Sequence, residues 1–146
     1  MRFNGHYINW RNKRIKFILS HLNVKGKSIL VLGDGEGDIA NEFQKKGAEV
    51  RVIEGRWEHC TNGSKRFPKV QFDCADLNGY RIPDKYDIVI SMGLLYHLSD
   101  PIHHLRQICS CAETIVLETE VLDALISYSL VKEPMNGYDQ SLDGVG

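Results

Sequence analysis

At 146 residues the chain is long enough for one domain with one sizeable core. Its 42% hydrophobic and 25% charged fractions are those of an ordinary globular protein, and a net charge of −1 removes any global pull toward nucleic acid or membrane surfaces. No apolar run approaches the ~18 residues of a membrane span, and Met1-Arg2-Phe3-Asn4 begins no signal peptide, which predicts a cytoplasmic protein. The four cysteines (Cys60, Cys74, Cys109, Cys111) form no C-x-x-C pair, and His103, His104 and Cys109 fit no standard zinc spacing. Free thiols, no metal and a reducing compartment are expected.

Residues 1–25 predict a helical lead-in. Ile8, Ile15, Ile18, Leu19 and Leu22 fall near one face, with Arg11, Lys13, Arg14 and Lys16 mostly elsewhere. That basic cluster reads either as a solvated face or as a cover for a ligand cleft that steers an anionic substrate. Val24-Lys25-Gly26-Lys27 is a turn into a first strand, Ile29-Leu30-Val31-Leu32. The strand breaks at Gly33-Asp34-Gly35-Glu36-Gly37, and a helix with Ile39, Ala40 and Phe43 on one face ends at Gly47. Residues 48–54 are a second strand. Residues 56–67 read as a helix, weakened by Gly63, with Trp57, Cys60, Ser64 and Phe67 facing inward and Pro68 ending it.

A short third strand spans residues 70–74, and residues 86–92 are a clear buried strand. Asp100-Pro101 starts a helix, with an acid at the N-cap and proline at its first position. Ile102, Leu105, Ile108 and Cys109 make its apolar stripe, and residues 114–117 are a fifth strand. Residues 26–120 thus alternate strand and helix, which predicts an α/β fold with a doubly wound, mainly parallel sheet of about five strands. Residues 121–146 are irregular and turn-rich, and the whole is one domain.

Residues 28–56 carry the chemistry. Strand, glycine loop, helix and strand in that order make half of a nucleotide-binding unit, in which glycines admit the ligand and the helix start offers unpaired N–H groups. Glu54, at the tip of the second strand, lies 19 residues after Gly35, close to the spacing of an acid that accepts from a ribose diol. The glycines run G-x-G-x-G, whereas a dinucleotide fingerprint would place the third at Asp38. An NAD-linked oxidoreductase is the weakest reading for that reason.

The tighter spacing resembles motif I of class I S-adenosylmethionine-dependent methyltransferases. Three further stretches carry the resemblance: Glu54-Gly55-Arg56, Asp76-Leu77 after the third strand, and the fourth-strand run from Tyr86-Asp87-Ile88-Val89 to Leu94-Leu95-Tyr96-His97-Leu98. With Asp100-Pro101 following in place, it covers about residues 26–120. It implies a Rossmann-like core, S-adenosylmethionine as cofactor and S-adenosylhomocysteine as product. It further implies that Gly33, Asp34, Gly35 and Gly37 sit at the methionine and ribose portions, with Glu54, Gly55 and Arg56 at the ribose. Asp76 and Leu77 would meet the adenine, and Met92 and Gly93 would line the cleft. Two departures stand out. The family places an acid two residues before the first glycine, toward the methionine amino group; here that residue is Val31, leaving Asp34 or Asp38 as substitutes. The family's sheet has seven strands, and this chain lacks the usual last two, so an exposed sheet edge is expected to pair in a homo-oligomer, a dimer.

Methyl transfer needs alignment and exclusion of water, with a general base only for a protonated acceptor. His97, with Tyr96 beside it, is the candidate for that work; the other reading makes His97 a structural residue under the following helix. The acceptor expected is a small molecule. Neither net basic charge nor an N-P-P-Y-type tetrad points to nucleic acid. A non-catalytic S-adenosylmethionine-binding protein and an aminopropyl-transfer-like enzyme are the alternatives, and the second lacks its expected acids after the fourth strand.

Overall fold

The computed structural model describes residues 5–121. Helix α1 (Gly5–His21) leads into β1 (Ser28–Leu32), α2 (Asp38–Lys45), β2 (Glu49–Glu54), α3 (Trp57–Arg66) and β3 (Gln71–Cys74). Strand β4 (Tyr86–Met92), a single 3-10 turn (Leu95–His97), α4 (Pro101–Cys111) and β5 (Ala112–Glu118) complete it. The five strands form one sheet in the order β3-β2-β1-β4-β5, all parallel. The chain runs outward from β1 to β3, then crosses back to β4 on the other side of β1. In such a sheet the strand order reverses between β1 and β4, and ligands bind at the carboxyl ends there.

Alternation along the strands divides the interior into two cores. Ile29 and Val31 of β1, Val50 and Val52 of β2, and Ile88 and Ile90 of β4 pack with Ile15 and Ile18 of α1 and Ile39, Ala40 and Phe43 of α2. Leu30, Leu32, Ile53 and Val89 point the opposite way, against Ile108 and Cys111 of α4 and the loop bearing Leu77 and Tyr80. Fully burying Ile15 and Ile18 contributes roughly 3–6 kcal/mol together. The α1 ion pairs Arg11–Asp38 and Arg14–Glu118 add at most about 1 kcal/mol each. Apolar packing therefore docks α1, and the ion pairs set where its polar face points.

Three inward faces differ from the sequence reading. Ile8 is 41% exposed, and among the described side chains of α1 the buried ones are Ile15 and Ile18. On α3, Trp57 is 76% exposed and the buried positions are Cys60 and Gly63. Gly63 is required rather than merely tolerated: a Cβ there would lie 2.5 Å from the Phe72 ring and 2.8 Å from the Glu36 carbonyl oxygen. On α4, the buried residues are His104, Ile108 and Cys111, while Ile102 and Cys109 are exposed. His104 takes an inner position because its Nε2 meets the Ser91 hydroxyl at 3.2 Å beneath β4. Burial, with His103 adding a smaller effect, holds His104 below the usual histidine range.

Other features follow the local signals. Asp100 caps α4, its carboxylate accepting from the His103 N–H at 2.8 Å, with Pro101 opening the helix. At the amino ends of the strands Asp87 ties β4 to β1, accepting from the Ser28 N–H, the Ser28 hydroxyl and Lys27. Those bonds hold its carboxyl well below the usual range. Among the described residues no helix is long and apolar enough to cross a membrane. The residues 122–146 part of the C-terminal segment lies outside the described residues.

Candidate functional site

A cleft of about 320 Å³ opens at the carboxyl ends of β1, β2 and β4. The loop after β1 supplies Gly33, and the tip of β2 supplies Glu54, Gly55 and Arg56. The loop after β3 supplies Asp76, Leu77 and Asn78; β4 and its turn supply Met92, Gly93, Leu94, Tyr96, His97 and Leu98. Arg14 enters from α1.

Glu54 is the organising group. It is only 4% exposed, yet its carboxylate lines the cleft. One oxygen accepts from the Gly35 N–H at 3.0 Å; the other accepts from the Arg56 N–H at 3.0 Å and from Arg56 Nε at 3.3 Å. A carboxylate has about four lone-pair positions. The oxygen bound to Gly35 keeps one, and the long Arg56 side-chain bond is the readiest to be replaced. Gly35 sits at φ 60°, a left-handed conformation that aims its N–H at Glu54. The sequence therefore ties the glycine loop to the second strand through an acid 19 residues away. Beneath, the Cys60 thiol donates to the Glu54 carbonyl oxygen at 3.3 Å, and burial pushes it up to about 12.

The β3 loop is shaped by Asp76, whose Oδ1 accepts from the Asn78 N–H at 2.9 Å. Asn78 then accepts from the Ser99 N–H and hydroxyl at 2.7 and 2.9 Å, joining the two loops that face each other across the cleft. Leu94 and Leu98 belong to the fourth-strand run already quoted but were not assigned to the cleft, and Asn78 was not assigned to it either. The role of Asn78 depends on a bridge between positions 21 apart, which leaves no local signal. Arg14 carried a signal, as one of the four basic residues of the lead-in helix.

Three expected cleft residues stand elsewhere. Asp34 turns its carboxylate to the N–H groups of Ile39 and Ala40, at 3.3 and 2.7 Å, and so caps α2. Burial pushes that carboxyl up to about 7, against the lowering effect of the two amides. Gly35 faces His59 and joins the cleft wall through its N–H bond to Glu54, and Gly37 packs against Phe72, whose ring a Cβ on Gly37 would strike. The alternative acid, Asp38, is held by Arg11 at 3.0 Å and Arg66 at 3.2 Å. Val31 is 2% exposed and belongs to the core.

At the other end of the cleft, Gly93 lies under two groups. A Cβ there would be 3.5 Å from Arg14 Nη2 and 3.5 Å from the Tyr96 hydroxyl. Tyr96 and His97 are both exposed, with ring centroids 4.3 Å apart. Among the described residues no group of three or more His, Cys, Asp or Glu side chains is placed to hold a metal ion.

A five-stranded parallel sheet with a carboxyl-end cleft around a buried acid defines a nucleotide-type cofactor fold. The chain matches the family described as a methyltransferase domain over residues 6–136, and it belongs to that family, in the class I S-adenosylmethionine-dependent group. It is 31% identical over 135 residues to the tRNA U34 carboxymethyltransferase of Pseudomonas aeruginosa, covering 86% of this chain and 41% of the relative. The enzyme of the same name from Pseudomonas putida is 29% identical over 139 residues, with 86% and 42% covered. The chain thus spans about two fifths of the length of these curated relatives. Among solved structures, the magnesium protoporphyrin IX methyltransferase of Synechocystis with bound S-adenosylmethionine superposes with a TM-score of 0.66 at 16% identity, over 77% of this chain and 61% of that one. An S-adenosylmethionine-dependent methyltransferase of Mesorhizobium loti gives 0.62 at 21%, over 68% and 47%. At these identities the structures share the fold.

Proposed function

We propose that the cleft binds S-adenosylmethionine and that the chain is the catalytic core of a methyltransferase. The observation that carries this reading is Glu54: a buried carboxylate at a strand tip, fixed by two main-chain N–H groups and open to a cavity of about 320 Å³. Two further features fit the ligand. Gly33 approaches Leu94 so closely that a Cβ would stand 3.2 Å from it, leaving the bare backbone to face the cleft. Asp76 and Leu77 present an acceptor and an apolar face at the β3 end, as an adenine requires.

In this reading Glu54 accepts from the ribose hydroxyls, Gly55 and Arg56 border the ribose, and Leu77 packs on the adenine beside Asp76. When bound, the sulfonium supplies an electrophilic methyl group on a good leaving group. The residues of this chain bind, align and exclude water. Met92 and Gly93 form the floor, Leu94 and Leu98 close one wall, and Tyr96 and His97 stand at the rim where an acceptor enters. His97 takes the acceptor's proton if the nucleophile is protonated.

For the acceptor we retain a small molecule. Its support is electrostatic: Arg14, the residue of α1 that lines the cleft, is ion-paired with Glu118, and Arg11 is paired with Asp38. A second reading, an RNA nucleotide, is favoured by one specific observation. The exposed face of α1 carries Trp10, with Lys13 5.8 Å over its ring, and Phe17, and the curated relatives are named for a tRNA. Free cysteines support the reading of a reducing, cytoplasmic setting, and the outer edge of β5, unpaired among the described residues, is the surface we assign to dimerisation. A monomer by light scattering at micromolar concentration refutes the dimer.

Calorimetric titration with S-adenosylmethionine, and separately with S-adenosylhomocysteine, tests the main proposal. Micromolar binding lost in Glu54→Ala is expected. No binding of either at millimolar concentration overturns the reading. A shift of bulk tRNA on a native gel, lost in Trp10→Ala/Phe17→Ala, would move the acceptor to RNA.

A further inference from the structure

All four cysteines are free thiols, and two of them stand together behind the cleft. Phe72 and Cys74 lie two apart on β3 and so share a face of the sheet. That face meets α3, whose buried residues Cys60 and Gly63 are one helical turn apart. The Phe72 ring fills the space over Gly63, where a Cβ would stand 2.5 Å from it. Cys74, two residues further along the strand, reaches the turn that bears Cys60. Both thiols end on consecutive carbonyl oxygens of the β2 tip: Cys60 Sγ lies 3.3 Å from that of Glu54, and Cys74 Sγ 3.9 Å from that of Gly55.

The pair is unequal. Cys74 is exposed, whereas Cys60 is buried. Burial pushes the Cys60 thiol up to about 12, and the Cys74 thiol beside it adds to the rise. The thiolate is the form that attacks an oxidant, so Cys60 is shielded twice over and Cys74 is the sulfur an oxidant meets first. The other exposed thiol, Cys109, has no such companion: Cys111 is two positions on in the same helix, and side chains so spaced do not face each other. An accessible thiol with a second thiol at its side is the arrangement of a redox-sensing pair. In a reducing setting such a pair rests as the dithiol and closes only transiently.

We propose that Cys60 and Cys74 close into a reversible disulfide under hydrogen peroxide, and that this bond weakens cofactor binding from behind the cleft. Cys74 attacks one oxygen of the peroxide; the O–O bond breaks, the sulfur becomes a sulfenic acid and water leaves. The Cys60 sulfur then attacks the Cys74 sulfur, the S–O bond breaks, and the Cys60 proton departs with the hydroxide as a second water. Two electrons pass from the two sulfurs to one peroxide. The disulfide removes the thiol donor from the Glu54 carbonyl oxygen, which keeps the Ala75 N–H at 3.1 Å, and it ties the end of β3 to α3. Both changes fall on the strand tips that lead to Glu54, Asp76 and Leu77. The effect on affinity rests on the S-adenosylmethionine reading; the disulfide does not.

The test treats the full chain with hydrogen peroxide, maps a tryptic digest by mass spectrometry without reductant, and titrates S-adenosylhomocysteine by calorimetry. Trypsin separates the two cysteines at Lys65, Arg66 and Lys69. A peptide pair joined through Cys60 and Cys74 is expected, lost on adding dithiothreitol, retained in Cys109→Ser and absent in Cys74→Ser. The oxidised wild type should bind S-adenosylhomocysteine roughly 2- to 10-fold more weakly, the span of one neutral hydrogen bond, and recover fully in dithiothreitol. Cys74→Ser should bind like the reduced wild type with or without peroxide. Oxidation of Cys74 to its sulfinic acid with no joined pair overturns the disulfide, as does a link to Cys109 or between two chains. A Cys60–Cys74 link with unchanged affinity overturns the regulatory effect, and so does an equal loss in peroxide-treated Cys74→Ser. A reduced wild type that binds no S-adenosylhomocysteine at millimolar concentration overturns the cofactor reading and the regulatory effect with it, while the digest alone decides the disulfide.

Discussion

At the β2–β3 end of the cleft, Glu54 is 4% exposed and its carboxylate accepts from two main-chain N–H groups, so the geometry there is fixed by backbone. At the β4–β5 end, Arg14 reaches Glu118 across 104 residues with side-chain exposures of 21% and 40%, and Tyr96 is 47% exposed. One end is held by short connections through a buried acid; the other is held by an ion pair between a lead-in helix and an edge strand. A common adenosine moiety suits a rigid end. Acceptor chemistry, which varies among proteins of one fold, suits an end whose side chains can be exchanged without disturbing the core.

The largest expected effect comes from breaking the rigid end. Gly37→Ala places a Cβ 2.4 Å from the Phe72 ring at a residue with φ 82°, so both clash and backbone strain oppose it. Urea unfolding should show a loss of roughly 2–4 kcal/mol. Gly63→Ala should behave alike, because its Cβ meets the same ring. Loss below about 0.5 kcal/mol in both would mean that Phe72 is loosely held and the loop is not clamped.

Next in size is Glu54→Gln, which keeps the shape and removes the charge. The N–H groups of Gly35 and Arg56 then share an amide that offers one acceptor oxygen, and one of them is left without its partner. A loss of about 1.5–3 kcal/mol in stability is expected, together with loss of cofactor binding. Retained binding in a folded variant would separate Glu54 from the ligand.

Asp34 sharpens the comparison through pH. Its carboxyl is raised to about 7 in the folded chain, so the folded state holds a proton that the unfolded state releases near pH 4. Between those values the folded state binds more protons, and stability should fall as pH rises from about 4 through 7. Asp34→Asn, whose side chain carries no charge, should flatten that part of the profile. Asp87 runs the other way: its carboxyl is lowered in the folded chain, so its contribution is present above the ordinary carboxylate range and is lost as pH falls below it. Unfolding free energies from pH 3 to 8 for the wild type and Asp34→Asn check both signs.

What was legible in the sequence follows the same division. Apolar runs gave all five strands, and Tyr86–Met92 matches to the residue, because a strand buried on both faces needs a continuous run. Asp100-Pro101 marked α4 because capping is local chemistry. On the inner face of α4 Ile108 was legible, but His104 was missed because it counts as polar in a pattern, and its Ser91 partner lies on another element. Gly63 read as a weakness because its reason, the Phe72 ring, is tertiary. Glu54 was visible from its spacing, whereas Asn78 takes its role from Ser99 and Arg14 from Glu118, contacts that no periodicity encodes.

The smallest effect on stability, and the sharpest on function, should come from His97. It lies in the turn Leu95–His97 on the exposed rim, its ring tilted 50° against that of Tyr96, and the buried histidine is His104, on the inner face of the following helix. The sequence left two roles open for His97, and its exposure weighs against the one that buries it. His97→Ala should lower the unfolding free energy by less than about 1 kcal/mol, because the side chain is exposed. If His97 takes a proton from the acceptor, turnover at saturating cofactor should fall about 100-fold or more, with cofactor affinity unchanged. Unchanged turnover would remove His97 from the chemistry and leave an acceptor that enters already deprotonated, for which alignment over Met92 and Gly93 suffices.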